Sequence, residues 1–179
     1  MTAQGDHAAI EVPSPGRAEL ILFGSLFLLP ALAASFISQG IPAFLRMSGQ
    51  SEEVIGLVFL AGLPFTLSFI WAPMIDRFGT PRLGYRRGWL LGTQVGIVTA
   101  VGVYLLLDPA AAAWAVIAVA GLTMALVGTY MAAASGYMLD ALPRGDHAYG
   151  AAAQSAASGV AGLLFGLGIL YLFGDLGWA

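Results

Sequence analysis

Charged side chains are concentrated between the second and third apolar stretches of this sequence. The segment from Asp76 to Arg87 holds four of the seven arginines, and the chain has no lysine. The acid ends an apolar stretch, where the negative end of a helix dipole disfavours a carboxylate, so it needs nearby cations. The pattern predicts a charge latch, an ion pair that holds one conformation and breaks in another; a static anchor for the connection is the alternative. The predicted latch residues are Asp76, Arg77, Arg82, Gly84, Arg86 and Arg87.

A second acid, Asp140, ends the fourth apolar stretch and follows the small residues Gly128, Ala132 and Gly136 at helical spacing. A carboxylate at that depth can pair with an arginine of a neighbouring connection or bind a proton. The alternative is an acid that is simply hydrated at a membrane interface. No acid lies in the middle of an apolar stretch, which argues against a complete proton relay within these residues.

Uncharged polar side chains are sparse within the apolar stretches. In hydrocarbon such a side chain usually faces the interior of a helix bundle or a wet cavity. We therefore expect a few of them to line a solute path, although hydrogen bonds between helices, about 1 kcal/mol each, would also explain them. The candidate path residues are Gln39, Gln94, Ser135, Gln154 and Ser158.

The composition is that of an integral membrane protein. Of the 179 residues, 59% are apolar and 9% are charged, against about 25% charged in a soluble domain. Seven basic residues and a net charge of -3 exclude a nucleic-acid binder. With no cysteine, two distant histidines and no Ser/His pair or paired acids in a membrane, we expect no metal, no cofactor and no enzymatic activity.

Five charge-free stretches are long enough to cross a hydrocarbon core of about 30 Å as helices. They predict an all-α, polytopic protein that has the lipid bilayer as its partner, because open backbone cannot face lipid. The polar first 19 residues predict a disordered cytoplasmic tail rather than a signal peptide. The predicted spans are residues 20–45, 54–75, 88–107, 111–139 and 148–174.

The arginines also predict the orientation. Six of the seven lie in the N-terminal tail or in the connections after the second and fourth spans, and only Arg46 lies on the other side. The positive-inside rule then places the N-terminus and those two connections in the cytoplasm.

Glycine and proline predict how the helices pack and bend. Small residues at four-residue spacing allow close helix contacts, in a moving carrier and in a static bundle alike. Prolines within or at the ends of the first two spans can kink them, although membrane helices also tolerate proline. The small-residue ridges are Gly88, Gly92 and Gly96; Gly128, Ala132 and Gly136; and Gly162 and Gly166, and the prolines are Pro30, Pro42, Pro64 and Pro73.

The latch segment resembles a known family. A D-R-x-G…R-R connection after the second span is similar to the signature of the major facilitator superfamily. The strings FIWAPMIDRFGTPRLGYRRGWLLGTQ, SQGIPAFL and LPRGDHAYGAAAQ resemble a narrower branch. That branch is the peptide/acetyl-CoA transporter family, with AmpG-like muropeptide permeases and RhtX/FptX-like siderophore permeases. The resemblance covers about residues 20–179.

The resemblance implies a secondary active transporter in the bacterial inner membrane, with proton-coupled uptake of a small solute such as a muropeptide or siderophore. Such carriers have twelve helices in two halves, so the chain is expected to be an incomplete N-terminal half that works with a missing C-terminal half or a partner subunit. The family usually has a lysine where this chain has Ser68 and an aspartate where it has Gly136, which leaves solute and coupling ion open. The alternative is a non-transporting subunit or assembly factor that packs on other membrane helices through its glycine-rich faces.

Overall fold

The computed structural model describes residues 16–78, 85–104, 106–107 and 112–175. Residues 1–15 of the predicted tail and the latch residues Arg82 and Gly84 lie outside this part. The first helix, α1, begins at Arg17, so the last three residues of the predicted tail (1–19) are helical. A polar first turn can extend from a span into the headgroup layer beyond the hydrocarbon core.

The first span contains one irregular turn. It consists of α1 (Arg17–Ser35), a π-helical turn (Phe36–Gly40) and α2 (Ile41–Met47). In the π turn the Ile41 amide donates to the Phe36 carbonyl, five residues back instead of four. Pro42 follows at once, and without an amide hydrogen it cannot donate to the Ser38 carbonyl as an α-helix requires. The irregular turn, which contains Gln39, therefore lies where the sequence removes an α-helical hydrogen bond.

The second span is interrupted. It consists of α3 (Glu52–Leu60), α4 (Leu63–Thr66), a 3-10 turn (Leu67–Ile70) and α5 (Ala72–Arg77). Pro64 and Pro73 lie in the first turns of α4 and α5, where a missing amide hydrogen costs no helical bond. Pro30, in contrast, lies inside α1 without ending it. The prolines therefore break the second span but not the first half of the first span.

The other three spans are single helices. They are α6 (Tyr85–Tyr104), α7 (Ala113–Ala141) and α8 (His147–Asp175), and a 3-10 turn (Arg144–Asp146) joins the last two. Their ends differ from the predicted ends by at most three residues.

The prediction of an all-α, polytopic membrane protein is confirmed, and the described residues contain no strand. Within the part of the chain that the structure describes, four stretches are long and apolar enough to cross a membrane: Ile21–Met47, Glu52–Ile70, Ala113–Ala141 and Arg144–Gly168. The third predicted span, α6, has 20 residues, which corresponds to about 30 Å of helix. It is less apolar than the other four because Arg86 and Arg87 are in its first turn and Thr93 and Gln94 are in its first half.

Helix α7 lies at the centre of the bundle. It packs against α6, against α1 and against the broken second span, while α1 pairs with α8. Val127, Tyr130 and Ala134 on α7 are fully buried, and the Tyr130 hydroxyl donates to the Leu26 carbonyl of α1 at 2.9 Å. Because α7 contacts every other span, the residues at its end can join several helices.

Candidate functional site

An ion pair joins the start of α6 to the end of α7. The Nε atom of Arg86 lies 3.1 Å from an Oδ atom of Asp140. The arginine side chain is 25% exposed and the aspartate side chain is 67% exposed. We call the part of the bundle where α5 and α7 end and α6 and α8 begin the arginine end.

The guanidinium group of Arg86 lies against the backbone of α7 at Gly136, one helical turn before Asp140. A Cβ atom added at Gly136 would overlap this guanidinium group. The absence of a side chain at Gly136 therefore makes room for the arginine that pairs with Asp140.

Further contacts hold the arginine end together. The guanidinium carbon of Arg87 lies 5.8 Å from the centre of the Tyr137 ring on α7, within the range of a cation–π interaction. The indole of Trp89 donates a hydrogen bond to the carbonyl of Phe78, the residue after α5. The guanidinium carbon of Arg77 lies 5.9 Å from the centre of the Phe78 ring. The end of α5, the start of α6 and the end of α7 are thus connected by side chains.

The structure places part of the predicted latch. Arg86 and Arg87 both contact α7, while Arg77 lies over the ring of its neighbour. Asp76 is in α5, and its side chain lies outside what the structure describes, as do Arg82 and Gly84. The latch role itself stays a prediction.

The candidate path residues lie at different places in the bundle. Gln39 is exposed, and its Oε1 atom would lie 3.5 Å from a Cβ at Gly166 of α8. Ser158 donates to the carbonyl of Gln154 on the same helix at 3.1 Å. Ser135 lines a groove of about 420 Å³ between α7 and the second span, and Gln94 is half-buried on α6. At the groove and at the Gln39 site these polar groups meet a neighbouring helix.

The sequence analysis missed several pairings between helices. The Trp71 indole donates to the Thr129 hydroxyl of α7 at 3.0 Å. A Cβ at Gly128 would lie 2.9 Å from the Cβ of Ser68 and 3.2 Å from the Cα of Phe65. The ridge of small residues on α7 indicated a close contact there, but nothing in the spacing identified the partner helix.

The other glycine ridges are used unevenly. A Cβ at Gly96 would lie 3.1 Å from the side chain of Leu126 on α7, whereas at Gly92 and Gly162 it would meet no atom within 4 Å. In the part of the chain that the structure describes, no group of three acidic, histidine or cysteine residues could hold a metal ion.

Comparison with known proteins supports a transporter family. Residues 20–114, just over half of the chain, match the family model described as acetyl-coenzyme A transporter 1. An uncharacterized protein of Haemophilus influenzae is 33% identical over 147 residues, which are 79% of this chain and 33% of that protein. No solved structure matches the chain at a significant level.

Two named relatives are similar over about half of the chain. The anhydromuropeptide permease of Escherichia coli K12 is 33% identical over 95 residues, 53% of this chain and 19% of the permease. The putative transporter AmpG 3 of Rickettsia prowazekii is 32% identical over 97 residues, 51% of this chain and 23% of that protein. The matched segments thus span a third or less of these curated relatives. The chain is a multi-pass membrane protein and belongs to the acetyl-coenzyme A transporter family.

Proposed function

We propose that this chain is the N-terminal part of a secondary active transporter, and that the arginine end is its cytoplasmic latch. The observation that carries the proposal is the Arg86–Asp140 pair, which joins the ends of two membrane helices at 3.1 Å. Family membership and the named permease relative support the transport function.

The ion pair is suited to a switch because neither partner is deeply buried. Arg86 is partly shielded by α7, whereas Asp140 keeps most of its contact with solvent. Such a pair can separate without leaving an unsolvated charge in hydrocarbon. In the proposed cycle it is closed in the outward-facing state and broken in the inward-facing state. Asp140 also remains the candidate for binding a transported proton.

The arginine distribution supports the proposed orientation. Arg77, Arg86 and Arg87 belong to the arginine end and Arg46 to the other end. The positive-inside rule then places the arginine end, with the N-terminus, in the cytoplasm of a bacterium. The membrane would be the inner membrane, and the solute would be a muropeptide or a siderophore moved with protons.

An apolar cleft supports the proposal that further helices complete the carrier. The cleft has a volume of about 450 Å³ and lies between α1, α6 and α8. It is lined mainly by aliphatic and aromatic side chains, among them Leu29, Leu32, Phe36, Val101 and Phe165. A helix from the same polypeptide or from a partner subunit would fill it, which agrees with the greater length of the relatives.

Uptake by the complete carrier that contains this chain tests the proposed function. The purified carrier is reconstituted in liposomes with an imposed pH gradient, and labelled anhydromuropeptide and iron-loaded siderophore are offered separately. We expect uptake of one solute class, abolished by a protonophore. If neither solute class is taken up, the proposed solutes are contradicted. If uptake is unaffected by the protonophore, proton coupling is contradicted.

The alternative, a non-transporting membrane subunit, is favoured by one observation. Added Cβ atoms at Gly92, Gly159 and Gly162 meet no neighbouring atom within 4 Å among the described residues, so these glycines are open to contact with other helices. Stable co-purification with a larger membrane complex, with no flux of either solute in the liposome assay, would favour this alternative.

Gln39 tests the proposed solute path. We expect Gln39→Ala to raise the KM for the solute about two- to tenfold, because one hydrogen bond contributes about 0.5–1.5 kcal/mol. Ser25→Ala is the matched control, since Ser25 is an exposed polar residue of α1 whose hydroxyl donates to the Leu22 carbonyl at 2.8 Å. Equal KM values for the two variants would remove Gln39 from the path.

A further inference from the structure

The arginine of the ion pair is held more closely by α7 than its carboxylate partner is. Three quarters of the Arg86 side chain is shielded, whereas two thirds of the Asp140 side chain is exposed. An ion pair with so exposed a partner contributes little by itself, because water screens it and a long side chain loses rotamer freedom. Packing of the guanidinium group against α7 adds to what the pair contributes.

This packing takes place in a notch on α7 left by the missing side chain of Gly136. The guanidinium group fills the volume that a Cβ would take. Gly136 and Asp140 are four residues apart, so they lie one above the other on the same face of the helix. The guanidinium group that rests on the backbone at Gly136 also has its Nε atom 3.1 Å from the carboxylate of Asp140.

We propose that Gly136 is a positioning residue of the cytoplasmic latch: it forms the notch that orients Arg86 towards Asp140. The inference rests on the proposed function only in treating the Arg86–Asp140 pair as a latch, because the notch and the pair themselves are features of the fold. Arg87, the next residue, lies over the Tyr137 ring, so the notch at Gly136 holds Arg86 rather than its neighbour.

The helix itself would be favoured by a larger residue at this position. Gly136 lies inside α7, which runs from Ala113 to Ala141, and alanine stabilises a helix interior relative to glycine. A purely structural account therefore predicts that Gly136→Ala is neutral or stabilising. The notch predicts instead that the added methyl group displaces the guanidinium group and uncouples it from Asp140.

A double-mutant cycle tests this without reference to transport. In the complete carrier, unfolding equilibria are measured in detergent for Arg86→Ala, Asp140→Asn and both together, with and without Gly136→Ala. We expect the coupling between Arg86 and Asp140 to change the unfolding constant about two- to fivefold in the natural background. In the Gly136→Ala background the coupling should disappear, so that it changes the unfolding constant by a factor of about one.

The control and a rescue complete the design. Gly92→Ala, at an exposed glycine where an added Cβ meets no atom within 4 Å, should leave the coupling unchanged. In uptake assays Arg86→Lys should lower the rate in the natural background but raise it in the Gly136→Ala background, because an ammonium group lacks the planar fork that overlaps the methyl group.

The outcomes separate the two proposals. Coupling that persists with Gly136→Ala overturns the notch. Coupling that is lost supports the notch, and if Arg86→Ala then leaves uptake unchanged, it is the latch role of the proposed function that fails.

Discussion

Replacement of Arg86 by alanine should lower solute uptake by the complete carrier about tenfold or more, while the amount of protein in the membrane stays the same. The variant removes the side chain that joins α6 to Asp140 and to the backbone of α7 at Gly136. A change of about 1.4 kcal/mol between two states shifts their populations tenfold, and loss of the pair together with the notch contacts is of that order. The measurement is the initial uptake rate, normalised to carrier content.

Insertion should survive because the remaining charge is not trapped. Asp140 is 67% exposed, so water can solvate its carboxylate when the arginine is absent. We expect Asp76→Asn and Arg87→Ala to lower uptake in the same way, since both belong to the predicted latch.

Arg46→Ala is the matched control for this prediction. Arg46 also forms an ion pair, with Glu52 at 3.4 Å, but at the opposite end of the bundle and with both side chains more than 60% exposed. Its uptake should stay within about twofold of the natural carrier, because an exposed pair contributes about 0–1 kcal/mol. If the Arg86→Ala variant and the Arg87→Ala variant both took up solute at the rate of the natural carrier, the latch would be contradicted.

Replacement of Gly128 should cause the largest loss of stability. A Cβ there would lie 2.9 Å from the Cβ of Ser68 and 3.2 Å from the Cα of Phe65, so the new side chain meets backbone that cannot rotate away. We expect Gly128→Ala to lower the free energy of unfolding by about 1–3 kcal/mol. Gly128→Leu should prevent accumulation of folded protein.

Detergent unfolding and the yield of monodisperse protein measure this effect. Gly56→Leu is the control, because Gly56 is exposed on α3 and an added Cβ meets nothing within 4 Å. Ser68→Gly should rescue Gly128→Ala in part, since it removes the nearer of the two contacts but leaves the Phe65 backbone in place. A stable Gly128→Leu carrier would show that α4 and α7 can separate at no cost.

Much of the fold could be predicted because the lipid bilayer sets the length and composition of each membrane-spanning helix. A helix needs about 20 apolar residues to cross a bilayer, and charges interrupt this sequence at nearly every place where a span ends. The ends of α7 lie within two residues of the predicted ends for this reason. The breaks in the second span were less visible, because Pro64 and Pro73 signal a kink in some helices and none in others, as Pro30 illustrates.

The charged residues of the site were visible in the sequence, but their pairing was not. Charge count and helix-end position identified Asp140 and the arginines between Asp76 and Arg87 without any coordinates. Only the packed bundle assigns Arg86 to Asp140, places its guanidinium group over Gly136 and sets Ser68 against Gly128. These contacts depend on how each helix is rotated about its axis and on separations of about 3 Å between residues up to 60 positions apart. Periodicity and composition describe one helix at a time, so they give no information about contacts between side chains of different helices.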